Sequence, residues 1–215
     1  MNPNSSVTRD ILVFAAQGSN HLSDQPTVDK LIEFLGDDRE LFHLILTRCR
    51  DALYVELESL ATDEKSILGR EFYDAFQDPK TLLLPPQSFH SHPVVETLAL
   101  FTRQILELMI FASYHNGNHI VAETTGICTG VLPAIIAASF TTYNSEQYIQ
   151  SVTETFRLAF WVAMRTSIFC RQAAGDSWRE MPWCLSTFGL PIEDVEEKLV
   201  EYRNLNESVC IAFST

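Results

Sequence analysis

The residues of this chain most suited to chemistry form a Gly-x-Cys-x-Gly pattern, Gly126-Ile127-Cys128-Thr129-Gly130. A cysteine with glycines two residues before and two residues after it has the spacing of a nucleophile elbow, with Cys in the Ser position. Such an elbow turns sharply from a strand into a helix, and the small residues let the backbone pass without a clash. The pattern therefore predicts that Cys128 is a nucleophile. A buried structural cysteine beside two glycines is the alternative explanation of the same match.

The flanking segments supply the elements that an elbow needs. Residues 119–122, His-Ile-Val-Ala, can form a short buried strand, and residues 131–140 read as an apolar helix. The thiol of Cys128 would then lie at a helix N-terminus, where the helix dipole and the free N–H groups favour a thiolate. The same N–H groups can hold a developing oxyanion.

A second candidate residue, Gln17, follows the first apolar run of the chain. Residues 11–15, Ile-Leu-Val-Phe-Ala, predict a buried first strand, and residues 16–20, Ala-Gln-Gly-Ser-Asn, predict a turn. A side chain at the carboxyl end of a first strand is well placed to reach a site above the sheet, where α/β proteins bind ligands. The alternative is that Gln17 only caps the turn.

Composition excludes several classes of protein. The chain has 215 residues and is 46% hydrophobic, which is enough for the core of one large α/β domain. Its 15 basic and 28 acidic residues give a net charge of −13, which argues against nucleic acid or an anionic membrane as the main partner. The polar N-terminus has no signal-peptide shape and the helix at residues 131–140 is too short to cross a bilayer, so we expect a cytoplasmic protein.

The cysteines and histidines predict neither a disulfide framework nor a metal site. The five cysteines are widely spaced and read as reduced thiols, Cys49, Cys128, Cys170, Cys184 and Cys210. The pair His90 and His92 lies in a proline-rich break at residues 78–93, for which a solvated loop is the expectation. His115 and His119 would enter the strand at the end opposite to Cys128, roughly 25 Å away along an extended chain.

The remaining periodicity is mainly helical. Helices are expected at residues 28–35, 39–60, 66–76, 94–114 and 144–174, and a last apolar strand at residues 208–213. The order of strand, Gln turn, helices, strand, elbow and long helix predicts an α/β fold. Its short, mostly parallel sheet would be covered by helices, with the nucleophile on a strand-turn-helix elbow.

In this order the chain resembles the acyltransferase (malonyl-transferase-like) fold of fatty acid and polyketide synthases. The segment Val-Phe-Ala-Ala-Gln-Gly-Ser-Asn at residues 13–20 is similar to that family's first-strand motif, hydrophobic-Phe-Pro-Gly-Gln-Gly-Ser-Gln, with Ala-Ala in place of Pro-Gly. The Gly-x-Cys-x-Gly-hydrophobic-Leu pattern at residues 126–132 resembles the starter-unit acyl-carrier-protein transacylase (SAT) domain of fungal non-reducing polyketide synthases. The chain would be residues 1–215 of such a domain, its N-terminal large subdomain.

The resemblance implies roles for single residues. Cys128 matches the nucleophile that takes the acyl group as a thioester, Gln17 matches the glutamine that positions or polarises the acyl carbonyl, and the backbone N–H of Thr129 matches the second oxyanion donor. Gly126 and Gly130 match the structural positions of the elbow. The substrates would be a donor thioester, either acyl-CoA or an acylated carrier protein, and a phosphopantetheine acceptor, and no cofactor or metal is implied. The implied partners are the acyl carrier protein, other domains of the same synthase, and a donor fatty acid synthase or reducing polyketide synthase.

Two departures from the family pattern matter. The family's catalytic His follows the nucleophile by about a hundred residues, and here no His follows Cys128, so we expect the base and a ferredoxin-like subdomain to lie beyond this chain and the chain alone to be a poor catalyst. The arginine that holds malonate in the malonyl enzymes is replaced by Val162, although Arg157 and Arg165 are near in sequence. A starter unit without a free carboxylate would fit this replacement.

Two other functions use the same residues. A Cys-dependent thioesterase or hydrolase would need water at the acyl-enzyme and a His base of its own. A catalytically inactive docking module of a megasynthase would keep the fold without the chemistry.

Overall fold

The structure is a computed structural model that describes residues 8–15, 25–69, 71–90, 92–115 and 119–175, all within one compact unit, Met1–Asp176. The predictions for Gln17, Cys184, Cys210 and the strand at residues 208–213 lie outside the described residues. In the described part the fold is a mostly helical α/β arrangement with a small parallel sheet. The predicted α/β class is confirmed at that level.

Seven α-helices account for most of the described residues, and 3₁₀ turns connect several of them. Their bounds are α1 Gln25–Phe34, α2 Arg39–Ser59, α3 Thr62–Leu68, α4 Phe72–Ala75, α5 Pro93–His115, α6 Val131–Ser139 and α7 Glu146–Ala174. The predictions for α2, α5, α6 and α7 are confirmed to within two residues at each end. The single helix expected at residues 66–76 is wrong: it is two short helices, since Gly69 takes φ +86° and ends α3.

Local signals explain where the longest helix begins and ends. The Ser145 hydroxyl oxygen accepts a hydrogen bond from the Tyr148 N–H at 3.1 Å, which caps the start of α7. Gly175, at φ +62°, ends α7, and its N–H donates to the carbonyl of Arg171. Between these caps one side of α7 is buried, and it carries Phe156, Phe160, Ala163, Met164, Ser167 and Cys170.

The sheet consists of two parallel strands, β1 Thr8–Phe14 and β2 His119–Gly126. Their register pairs Thr8 with His119 at one end and Phe14 with Gly126 at the other, with one irregularity after Asp10. Because the strands are parallel, their carboxyl ends meet at the same edge of the sheet. The chain segments that follow Phe14 and Gly126 therefore start side by side.

The expectation that β1 is buried is only half correct. Leu12 and Phe14 pack on the hydrophobic core, whereas the side chains of Ile11 and Val13 are 61% and 65% exposed. Successive side chains of a strand point to opposite faces, so a wholly apolar run can still have one face outside the core. In the described residues the helices cover only one face of this sheet.

His92 also departs from its expected solvated loop. Its ring is buried, and Nε2 lies 3.1 Å from the carbonyl oxygen of Ile67. The His90 ring similarly approaches the Pro85 carbonyl at 3.0 Å. Both rings thus make contacts that hold the proline-rich segment between α4 and α5, and the described residues contain no cluster of His, Cys, Asp and Glu able to hold a metal ion.

A buried carboxylate links α2 to α7. Glu56 lies within the core face of α2, and one of its oxygens accepts a hydrogen bond from Nε of Arg157 at 2.5 Å. The other accepts from the indole N–H of Trp161 at 2.7 Å. Arg157 also reaches the exposed carboxylate of Glu154 at 3.2 Å. The packing of the two helices therefore includes a paired charge that would be costly to leave unpaired.

We predict that Glu56→Ala lowers the free energy of unfolding by about 2 kcal/mol, because it strands the Trp161 indole and the half-exposed Arg157 guanidinium. Urea unfolding of the two proteins measures the loss. The matched control is Glu154→Ala, which removes the exposed partner of the same arginine and should cost no more than about 0.5 kcal/mol. Equal losses for the two variants would contradict the structural role of Glu56.

Candidate active site

Cys128 lies in the tight connection between β2 and α6. Its φ of +54° is the only positive value among the described non-glycine residues, and its side chain is exposed. Residues Cys128–Gly130 form a 3₁₀ turn that leads into α6 at Val131. A non-glycine residue in this region of conformational space is strained, and such strain is found preferentially at functional sites.

The turn leaves no room for side chains at the two glycines. A Cβ atom at Gly126 would lie 2.1 Å from the carbonyl oxygen of Gly130, and one at Gly130 would lie 2.5 Å from the carbonyl oxygen of Phe14. In both cases the obstacle is backbone, which cannot rotate away. Any larger residue at either position would have to displace the turn.

Hydrogen bonds fix the turn against the end of β1. The N–H of Ile127 donates to the carbonyl of Phe14 at 3.1 Å, and the N–H of Gly130 donates to the carbonyl of Ile127 at 2.9 Å. On the opposite side, the hydroxyl of Thr124 donates to the carbonyl of Ala134 in α6 at 3.0 Å. The turn with Cys128 is thus attached to both the strand before it and the helix after it.

Besides Cys128 and the two glycines, Thr129 is the one predicted site residue that is described. Its side chain is half-buried, and within the described residues its hydroxyl oxygen has no hydrogen-bond partner. The role expected for Thr129 uses its backbone N–H, which lies in the 3₁₀ turn that leads into α6, and that role stays a prediction. Gln17 lies outside the described residues, two positions beyond Ala15.

The thiols of Cys49 and Cys170 differ from that of Cys128. Both are buried and unpaired, and burial raises the pKa of each above the ordinary value for a thiol. A buried neutral thiol is a poor nucleophile. Among the three described cysteines, Cys128 alone is exposed.

No described histidine ring is hydrogen-bonded to Cys128. His43 is exposed on α2, His90 bonds to the carbonyl of Pro85, and His92 bonds to the carbonyl of Ile67. The backbone of β2 separates His119 from Cys128 by the full length of the strand. The identity of a general base therefore stays open.

The arginines of α7 are engaged by residues of α2, α3 and α7 itself. Arg157 binds Glu56, Arg165 lies 5.2 Å over the ring of Trp161 and 3.3 Å from Glu64, and Arg171 donates to the hydroxyl of Ser66 at 2.7 Å. Val162, at the position expected to hold an arginine in the malonyl enzymes, is partly exposed.

Sequence reasoning missed one polar residue beside the site, Gln104. Residues 98–111 of α5 have a mainly apolar pattern, so the sequence alone does not single out Gln104. Its side chain is buried, and its amide donates a hydrogen bond to the carbonyl of Ala15 at 2.9 Å. A glutamine inside such an apolar stretch is the signal that could have found it, because a buried amide needs a partner.

Comparison with known protein families matches residues 22–210 to the family described as "SAT: Starter unit:ACP transacylase in aflatoxin biosynthesis". The chain belongs to the SAT family. The resemblance to the SAT family is confirmed. No solved structure matches the chain significantly.

Curated proteins similar to this SAT chain carry the name orsellinic acid synthase. "Orsellinic acid synthase ArmB" of Armillaria ostoyae is 34% identical over 165 residues, which is 68% of this chain and 7% of that protein. The Armillaria mellea protein of the same name is 34% identical over 66% of this chain and 7% of its own length. The protein of that name from Beauveria bassiana is 33% identical over 43% of this chain and 4% of its own length. This chain thus spans a small part of each relative.

Within the described part of this SAT chain, no helix is both long and apolar enough to span a membrane.

We predict that Gly126→Ala lowers the free energy of unfolding by more than about 2 kcal/mol, because its Cβ would overlap the Gly130 carbonyl. Gly36→Ala is the control: Gly36 has a positive φ, +54°, and open space around it, so the substitution should cost about 1 kcal/mol through backbone strain alone. Urea unfolding compares the two. A loss for Gly126→Ala no larger than that for Gly36→Ala would show that the turn is looser than described.

We also predict selective alkylation of the described cysteines in the folded chain. Iodoacetamide at pH 8 should modify Cys128 at least about tenfold faster than Cys49, because Cys49 is buried and its thiol pKa is raised. Peptide mapping by mass spectrometry measures both rates. Cys128→Ala supplies the control for the Cys128 peptide, and comparable rates for Cys49 and Cys128 would contradict the exposure difference.

Proposed function

We propose that this SAT chain carries an acyltransferase site in which Cys128 receives a starter acyl group and passes it to an acyl carrier protein. The thiolate of Cys128 attacks the carbonyl carbon of a donor thioester, and the donor thiol leaves with a proton. The phosphopantetheine thiol of the carrier protein then attacks the Cys128 thioester and releases the free Cys128 thiol. Each step exchanges one thioester for another, so the protein's task is to lower the barrier and exclude water.

The observation that carries this proposal is the conformation of Cys128. An exposed thiol on a residue with φ +54°, between a parallel strand and a helix and flanked by glycines that tolerate no side chain, has the features of a nucleophile elbow. The first N–H groups of a helix have no intrahelical acceptor, so they are available to an oxyanion. We assign the backbone N–H of Thr129 to that role.

Gln17 supplies the second polar contact in this proposal. The chain leaves β1 at Ala15, whose carbonyl lies against Gly130, and two residues span at most about 7 Å. The chain therefore leaves the sheet next to the turn with Cys128. We assign the side-chain amide of Gln17 to the acyl carbonyl oxygen, with loss of this contact expected to slow loading about tenfold or more.

The proposed starter unit has no free carboxylate. A malonyl-type substrate would need an arginine in the pocket, and Arg157 and Arg165 instead pair with acidic residues of α2 and α3. Val162 occupies the position that the family resemblance assigns to the carboxylate-binding arginine. An acetyl group or a longer fatty or polyketide acyl chain fits that environment.

The proposed setting is a fungal non-reducing polyketide synthase. Its support is the SAT family itself and the relatives named orsellinic acid synthase, of which this chain covers a small fraction. The partners would be the carrier protein and the other domains of that synthase, with acyl-CoA or an upstream synthase as donor and no bound cofactor. That the chain forms the large N-terminal part of the domain, and that its catalytic His lies elsewhere, stay predictions.

We predict that the protein, tested alongside a longer SAT domain, forms an acyl adduct on Cys128 with acetyl- and hexanoyl-thioesters and not with malonyl-thioester. Intact-mass spectrometry followed by peptide mapping measures the adduct. Cys128→Ala should abolish loading without loss of fold, and Cys49→Ala is the control that should load normally.

Four outcomes would decide against parts of this proposal. Adducts that persist in Cys128→Ala would remove Cys128 as the nucleophile. Equal loading of Cys128 by malonyl-thioester would contradict the argument that α7 offers no arginine to a substrate carboxylate. Rapid release of free acid without transfer to a carrier protein would indicate a thioesterase, and no adduct in the longer domain would favour a docking module.

A further inference from the structure

Gln104 is a buried amide on the core-facing side of α5. Only 6% of its surface is exposed, and its neighbours Ile105 and Leu108 belong to the hydrophobic core. Burying an amide in such surroundings is unfavourable unless its polar atoms find partners. The hydrogen bond that Gln104 makes is therefore needed to offset the cost of burying its amide.

That contact reaches the end of β1. Nε2 of Gln104 donates to the carbonyl oxygen of Ala15 at 2.9 Å, across 89 residues of sequence. Within the described residues Oε1 has no hydrogen-bond partner, so the amide is held by its donor side. Ala15 is the last described residue before the segment with Gln17.

The Cys128 turn contacts the same stretch of backbone from another direction. The N–H of Ile127 donates to the carbonyl of Phe14, and the Gly130 backbone packs against the carbonyls of both Phe14 and Ala15. The two carbonyls at the end of β1 are thus held between α5 and the turn that carries the proposed nucleophile. Gln104 supplies the α5 side of that arrangement.

A cavity beside Ala15 makes the hydrogen bond more important. It has a volume of about 260 Å³ and is lined by β1 and by residues of α5 that include Leu100, Gln104 and Leu108. Close packing would normally fix the position of a backbone carbonyl. Next to this cavity, the hydrogen bond from the Gln104 amide restrains the orientation of the Ala15 carbonyl.

We propose that Gln104 is a positioning residue for acyl transfer, which fixes the Ala15 carbonyl against which the turn with Cys128 packs. This inference rests on the proposed function. Gln104 does not touch the reacting atoms and acts only through the end of β1, which the Gly130 backbone contacts. Small misplacements of a catalytic group are sufficient to reduce rates by one to two orders of magnitude.

The test is the rate constant for acylation of Cys128 by hexanoyl-thioester, measured in a SAT domain whose wild type is acylated on Cys128. Gln104→Leu should slow acylation about tenfold, because the Ala15 carbonyl loses its restraint from α5. A rate within about twofold of the wild type, in a folded Gln104→Leu variant, overturns the inference.

Thr102→Val is the matched control for a purely structural effect. Its buried hydroxyl bonds the Leu98 carbonyl of the same helix at 2.7 Å and has no tie to β1. The control should lower the melting temperature about as much as Gln104→Leu and leave the acylation rate near that of the wild type. An equal loss of rate in both variants would overturn the positioning role.

Gln104→Glu tests the donor directly and serves if Gln104→Leu fails to fold. An ionised carboxylate cannot donate to the Ala15 carbonyl, whereas a protonated one can, and burial raises the pKa of a carboxyl group. The rate of this variant relative to wild type should therefore rise as the pH falls from 8 to 6. A ratio that does not change with pH, in a folded variant, overturns the inference.

The two proposals fail separately. If the wild-type domain does not acylate Cys128, the proposed function fails. If the wild type is acylated but Gln104→Leu behaves like Thr102→Val, the positioning role alone fails.

Discussion

The close approach of the Gly130 backbone to the end of β1 is the constraint on which the rest of the site depends. A Cβ atom at Gly130 would lie within 2.7 Å of the carbonyls of both Phe14 and Ala15. The two parallel strands end at the same edge, and only glycine lets the chain after β2 turn so tightly over the chain after β1. The position of Cys128 relative to the end of β1 therefore follows from backbone contact.

Helices, and not the sheet, supply the stability that this arrangement needs. Two strands alone are marginal in water, and here they rest on the core formed largely by α2, α5 and α7. Two buried polar side chains cross between distant segments, Gln104 to Ala15 and Glu56 to Arg157. A polar group buried without its partner is costly, so each contact penalises alternative packings of the helix that carries it.

The parts of the molecule that could be predicted from sequence are those with local causes. The bounds of α5 and α7 follow from apolar periodicity with Pro93 at one start and Ser145 before the other, and the turn at Cys128 follows from the spacing of its glycines. The features that could not be predicted depend on contacts between residues that are far apart in the sequence. The wholly apolar run of β1 hides which side faces the core, and the extension of β2 through the polar residues Glu123 to Thr125 exists because β1 pairs with them. Gln104 likewise has meaning only once Ala15 is beside it.

Different sides of α7 carry the arginine that stabilises the fold and the residue proposed to select the substrate. Moving Arg157 toward a substrate carboxylate would leave Glu56, which is buried, without its guanidinium partner, at a cost of about 2 kcal/mol or more. The same helix exposes Leu158 and Val162, one turn apart and hence on a common side. Because the arginine stabilises the α2–α7 contact, a carboxylate-binding role would compete with the stability of the fold. An apolar acyl group makes no such demand, and this difference in cost is the physical reason to expect a neutral starter.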